Sequence, residues 1–189
     1  MNKILLTILS FSISLNLFGQ TQIDVNEPEY IGEVISIQNN GETIIPLEKK
    51  SSKIKTKAGA SMYLTGIGKV KSKINIEGNT SPVVLKANEP LTFIVKSFDN
   101  KSDPLSIISL IKFETTKKER KSELSSLGTF SGSSKNNQNH IEYKAKKYKD
   151  SSYELHVDSL AVGEYGIIVS NPSAASNSNL IIACFSVQN

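Results

Sequence analysis

Apolar and polar residues alternate along almost the whole of this chain, and that period restricts its fold more than any other feature. It is cleanest in "KVKSKINIE": Val70, Ser72, Ile74 and Ile76 face one way, while Lys69, Lys71, Lys73, Asn75 and Glu77 face the other. A period of two belongs to a half-buried β-strand, whose successive side chains point to opposite faces. "YIGEVISIQ" (30–38) and "ETIIPLEKK" (42–50) share the period and flank "NNG", a strong hairpin signal. "KIKTKA" (53–58) is separated from "KVKSKINIE" by a glycine-containing stretch. Further strands are expected in "PVVLKA", "LTFIVKSF", "SLIKFETT", "SELSSLGTF", "HIEYKAKKY", "SYELHV", "GEYGIIV" and "NLIIACFSV". No long segment sustains a helical period, and no repeat recurs at a fixed spacing.

The start of the chain has a different character. Lys3 is followed by an apolar run, Ile4 to Leu17, then Gly19 and the polar "QTQ". Such a run is too short for a stable bilayer anchor and suits a secretory signal peptide, expected to be cut after Gly19. No cysteine lies nearby for acylation, and no later window reaches the roughly 18 apolar residues of a transmembrane helix. The expectation is an exported chain, periplasmic or secreted, without a transmembrane anchor. Removing Lys3 takes the net charge from +4 to +3, which fits solubility better than a nucleic-acid surface. The one cysteine, Cys184, has no partner for an internal disulfide, so cohesion must come from apolar burial.

"EGNTSP" (77–82) is rich in turn residues and marks the expected boundary between a β-hairpin extension (20–77) and a main domain (78–189). Within the main domain "SDP" can open a single helical turn, with Asp103 as N-cap and Pro104 in its first position. Leu105 and Ile108 would then share an apolar side. "SGSSKNNQN" (131–139) is polar, low in complexity and expected to be a loop. Seven or eight short strands at hairpin spacing indicate an antiparallel β-sandwich.

Near the end, "SYELHVDSLAVGEYGIIV" places Leu155 and Leu160 toward a core, Gly163 at a corner and Tyr165 just beyond it. This resembles the strand–corner–strand signature of immunoglobulin-like sandwiches and covers roughly residues 81–189. The resemblance implies that the Tyr165 hydroxyl bonds back to the chain a few residues upstream. The chain has no tryptophan for the central strand, and Ile167 stands where antibody-type domains carry a cysteine. A generic immunoglobulin-like module is therefore implied. The "G-x-Y" strand also resembles the C-terminal sorting domains of type nine secretion cargo, but "LIIACFSVQN" lacks their basic final strand. The whole chain is similar to uncharacterised exported β-proteins of such bacteria, a resemblance that implies no activity.

Few residues suggest chemistry. Cys184, in the apolar "IIACFSV", has little nearby to lower its pKa and reads as an inert core thiol. His140 and His156 have no "H-x-x-x-H" or cysteine partners, so neither a zinc site nor another cofactor site is expected. No "G-x-S-x-G" elbow supports a serine triad. "DNKSD" (99–103) lacks the glycine and distal glutamate of a calcium loop and reads as a turn followed by a helix cap.

Lysine is the remaining signal. Sixteen of the 22 Lys and Arg residues fall in four clusters. If "KIKTK" pairs with "KVKSK", Lys53, Lys55, Lys57, Lys69, Lys71 and Lys73 share a sheet face that an anionic glycan or membrane surface could neutralise. A solvated face that discourages aggregation explains the same pattern. Arg120, the only arginine, argues against a phosphate- or base-reading surface. Three functions remain open: a non-enzymatic binding or structural module of the cell envelope, a lectin-like module using the lysine face, and a hydrolase or enzyme accessory. The strand "YIGEVISIQ" is a candidate edge for a partner envelope protein to extend.

Overall fold

A computed structural model describes residues 23–52, 55–58, 70–125, 140–170 and 180–189. The chain is all-β and sandwich-like, with two sheets whose neighbouring strands are antiparallel apart from one short pair. In chain order the strands are β1 (Val34–Gln38), β2 (Thr43–Pro46), β3 (Glu48–Ser52), β4 (Lys55–Ala58), β5 (Val70–Glu77), β6 (Val84–Lys86) and β7 (Leu91–Lys96). A single helical turn, α1 (Pro104–Ile107), follows. Then come β8 (Ile108–Thr115), β9 (Glu119–Ser125), β10 (His140–Ile141), β11 (Lys144–Tyr148), β12 (Ser152–Val157), β13 (Gly163–Val169) and β14 (Leu180–Gln188). The first sheet runs β11-β12-β7-β1-β2. The second runs β3-β14-β13-β8-β9-β5-β4, with β6 on β14 and β10 on β8.

Local chemistry explains most element ends. Asn39, Asn40 and Gly41 all take positive φ (50°, 56° and 105°), which closes the β1–β2 hairpin at "NNG". The Asp103 carboxylate accepts the Leu105 N–H at 2.9 Å and starts α1 at Pro104. Leu105 stays exposed while Ile108 is buried as the first residue of β8, so the expected apolar pair does not form. The turn is too short to give those residues a common face.

Two segments expected as single strands divide. "ETIIPLEKK" breaks after Pro46: the Leu47 N–H still donates to the Val34 carbonyl at 3.0 Å, while the Leu47 side chain drops into the core. The chain thereby crosses from the first sheet to the second. "HIEYKAKKY" breaks around Tyr143, whose hydroxyl reaches the Ile108 carbonyl at 2.7 Å. "YIGEVISIQ" is not an edge either. Residues 30–33 form a turn, and β1 is hydrogen-bonded on both flanks, to β2 and β7, so no further chain can pair with it. Residues read as an N-terminal extension share sheets with the rest: β1 pairs with β7, β3 with β14 and β5 with β9. The expected loop 131–139 lies outside the described residues.

Three apolar clusters stack through the molecule. The central one lies between the sheets and includes Phe93, Tyr165 and Phe185, with the Phe93 and Phe185 rings 5.2 Å apart. On the outer face of the second sheet, Ile74 and Ile76 of β5 cover Phe113, Ile168, Ile182 and Cys184. The β4–β5–β9 ribbon therefore folds over a sheet whose other face is already buried. On the outer face of the first sheet, Val25 covers Ile37, Ile94 and Tyr148, and the Tyr148 hydroxyl bonds both to the N–H (2.8 Å) and to the carbonyl (2.6 Å) of Val25. Fully burying one such aliphatic side chain contributes about 1.5–3 kcal/mol.

Candidate functional site

The corner before β13 is closed by Tyr165. Its hydroxyl donates to the Ala161 carbonyl at 2.8 Å, its ring stacks on Phe185 at 5.6 Å, and burial raises its pKa. A bond of this kind contributes about 1 kcal/mol. Leu155 and Leu160 are buried in the central cluster beside it. Gly163 takes φ +159° at this corner, a conformation that L side chains rarely adopt. A Cβ there would lie 2.9 Å from Lys112 Cε, and Lys112 passes over the Tyr165 ring with Nζ 5.6 Å from the centroid.

The two lysine-rich segments do pair. Lys55 stands opposite Lys73, and Lys57 opposite Lys71, in the β4–β5 register. Lys53 and Lys69 lie outside the described residues. Like charges at directly opposed positions cost a few tenths of a kcal/mol per exposed pair. On its other flank β5 meets β9, and Lys73 there pairs with Glu123 at 2.7 Å, which raises the Lys73 pKa through that hydrogen bond. Closer to the β8–β9 turn, Lys121 pairs with Glu119 at 2.7 Å, and the Asn75 amide donates to Glu119 at 3.2 Å. Acidic residues therefore balance the base of the ribbon.

A buried ionic cluster holds the ribbon down, and the sequence did not disclose it. Arg120 is fully buried. Its Nη2 donates to Glu48 at 3.1 Å, its Nε to the Gly78 carbonyl at 3.2 Å, and its Nη1 lies 3.5 Å from Glu164. Glu164 in turn accepts from the Thr80 hydroxyl (2.8 Å) and the Ser81 N–H (2.9 Å). A planar guanidinium can engage carboxylates from β3 and β13 at once, as a lysine cannot. One sign was available. Arg120 shares strand parity with Ser122, and both sit opposite the isoleucine face of β5 (Arg120 with Ile76, Ser122 with Ile74). The charged "KKERK" masked that parity, because it spans both the turn and the strand start.

The candidate reactive groups are dispersed. Cys184 is buried in the outer cluster, and burial pushes its thiol up to about 12. His156 lies on the outer face of the first sheet, with Nε2 2.7 Å from Glu154 and Nδ1 3.3 Å from the Thr92 hydroxyl. His140 belongs to the second sheet, on β10, and burial lowers its pKa. Asp99 accepts the Lys101 N–H at 2.9 Å, so both carboxylates of "DNKSD" serve turn and cap. Among the described residues no group of three or more His, Cys, Asp and Glu side chains is placed to hold a metal ion. No helix among them is long and apolar enough to cross a membrane. No protein family, curated protein or solved structure matches this chain. Functional evidence therefore comes from the arrangement of residues alone.

Proposed function

We propose that this chain is an exported, non-catalytic, immunoglobulin-like β-sandwich of the cell envelope that binds or supports a partner. The observation that carries the reading is where the ionisable side chains go. Arg120, Glu48 and Glu164 fasten one ribbon to the sheet, while Cys184 packs in the outer cluster and His156 meets Glu154 and Thr92. The signal-like residues 1–19 support export, and the Tyr165–Ala161 bond supports the immunoglobulin-like reading. Cross-linking in intact cells, followed by purification of the tagged mature protein, should recover one stoichiometric envelope partner. Recovery of the protein alone would overturn the reading, as would substrate turnover that disappears in His156→Ala.

A second reading rests on the opposed lysines of β4 and β5, which an anionic glycan or membrane surface would neutralise. On that reading the mature protein is retained on a polyanion column, retention falls steeply with salt, and Lys55→Ala with Lys71→Ala elutes much earlier. Unchanged retention in the double variant removes the ribbon as a binding surface.

A further inference from the structure

Four of the described lysines are half-buried: Lys50, Lys96, Lys112 and Lys121. Three of them pair with a carboxylate. Lys50 meets Glu48 at 3.1 Å, Lys96 meets Glu27 at 3.3 Å, and Lys121 meets Glu119 at 2.7 Å. Among the described residues Lys112 has no such partner, and Glu114, next on its side of β8, makes no ion pair with it. A cation drawn partly out of water without a counterion is unfavourable, and the Tyr165 ring beneath it offsets only part of that loss. Lys112 lines an open groove of about 490 Å³, formed by β8, the corner before β13 and the end of β14. That volume lies inside the range of small-molecule sites, roughly 300–1,000 Å³.

The other charged side chain in the lining is Glu164, and it is already committed. One of its oxygens accepts the Thr80 hydroxyl and the other the Ser81 N–H. Arg120 and Lys50 together offset the charges of Glu164 and Glu48. The groove is therefore left with one uncompensated positive charge, that of Lys112. Its position is fixed in advance. Lys112 stands opposite Tyr165 in the β8–β13 register, with Nζ 5.6 Å from the ring centroid. On the other side its stem lies against the bare backbone of Gly163, where a Cβ would come within 2.9 Å of Cε and 3.4 Å of Nζ. A side chain held this way loses little freedom on binding, and its ammonium brings three N–H donors. Val162, 53% exposed, adds an apolar wall to the same groove.

We infer that this groove binds a small organic anion, with its carboxylate or phosphate group on Lys112 and its apolar part against Val162. A cation would be repelled by Lys112, and a neutral ligand would leave that charge without a counterion. An anion supplies what the other three half-buried lysines obtain from glutamates of the chain itself. This inference rests on the binding-module reading and adds a ligand class to it, at residues distinct from the opposed lysines of β4 and β5.

Amide NMR spectra of the isotope-labelled mature protein test it, in titrations with sodium hexanoate and with phenyl phosphate at constant ionic strength. Hexanol serves as the neutral control. At least one anion should move the Val162, Gly163 and Val187 amide signals saturably, and hexanol should not. Response to hexanoate alone assigns the site to carboxylates, and response to phenyl phosphate alone assigns it to phosphate esters. Lys112→Met keeps an apolar stem over Tyr165 and should weaken binding about tenfold or more. Lys101→Gln, which removes the same charge from the loop before α1, should leave binding unchanged. Saturable shifts from neither anion would overturn the inference, as would equal shifts from hexanol or full affinity in Lys112→Met. Any of these results, with an envelope partner still recovered by cross-linking, sinks the anion site and leaves the module reading intact.

Discussion

Arg120→Ala should destabilise the protein by about 3–5 kcal/mol, measured as a lower midpoint in urea unfolding. The substitution removes a fully buried cation and leaves Glu48 and Glu164 without their common partner. Arg120→Lys should rescue only part of this loss, because one ammonium cannot replace the fork that reaches Glu48, Glu164 and the Gly78 carbonyl together. Replacing all three charged residues by well-packed apolar ones should cost far less than removing the arginine alone. Equal losses in Arg120→Ala and in the triple replacement would show that the cluster acts through packing and not charge. The pH dependence follows from Glu48. Burial alone would raise its pKa, but hydrogen bonds from Lys50, Ser81 and Arg120 outweigh that and hold it below its ordinary 4.5. A carboxylate lowered on folding contributes stability that is present above its unfolded value and is lost as pH falls through the folded one. The gap between wild type and Arg120→Ala should therefore narrow as the pH drops below about 4.5.

Gly166→Val should cost about 3 kcal/mol or more, read from the same unfolding curves. A Cβ at this position would come within 2.8 Å of Ile182 Cγ2 and of two ring atoms of Phe113, all buried in the cluster that the ribbon covers. Neither neighbour is the free end of an exposed chain, so relief requires moving β8 or β14. Gly166→Ala should show a smaller loss in the same direction, about 1–3 kcal/mol. A neutral Gly166→Val would mean that the ribbon lifts easily from the sheet, contrary to the tight seating of Ile74 and Ile76.

How much of this was readable in advance depended on whether a feature was local. The alternation in "KVKSKINIE" told which side of β5 is buried, and Ile74 and Ile76 are indeed the buried pair. The "NNG" hairpin and the Asp103 cap were equally visible, since each depends on a few adjacent residues. The alternation in "IIACFSV" separated Cys184 from Ala183 and Phe185, but did not show that both sets are buried. Period two says which residues share a face and not what that face meets. For the same reason "ETIIPLEKK" read as one strand, although the chain passes between the sheets within it. Arg120 was out of reach because its partners come from strands remote in sequence. The four lysine clusters read as one kind of surface. In the folded chain Lys73 and Lys121 are matched with glutamates, and only pairing between strands shows which lysines are opposed to each other.

The position of β14 bears on how the chain reaches this fold. It lies between β3 and β13 and also carries β6, so β3 and β6 have no partner in the second sheet until residues 180–188 are available. Its contact with β3 closes a loop of well over a hundred residues, a separation that places folding in the range of about milliseconds to seconds. β3 and β6, made early, must wait with their edges unpaired, and an unpaired strand edge is a template for association with other chains.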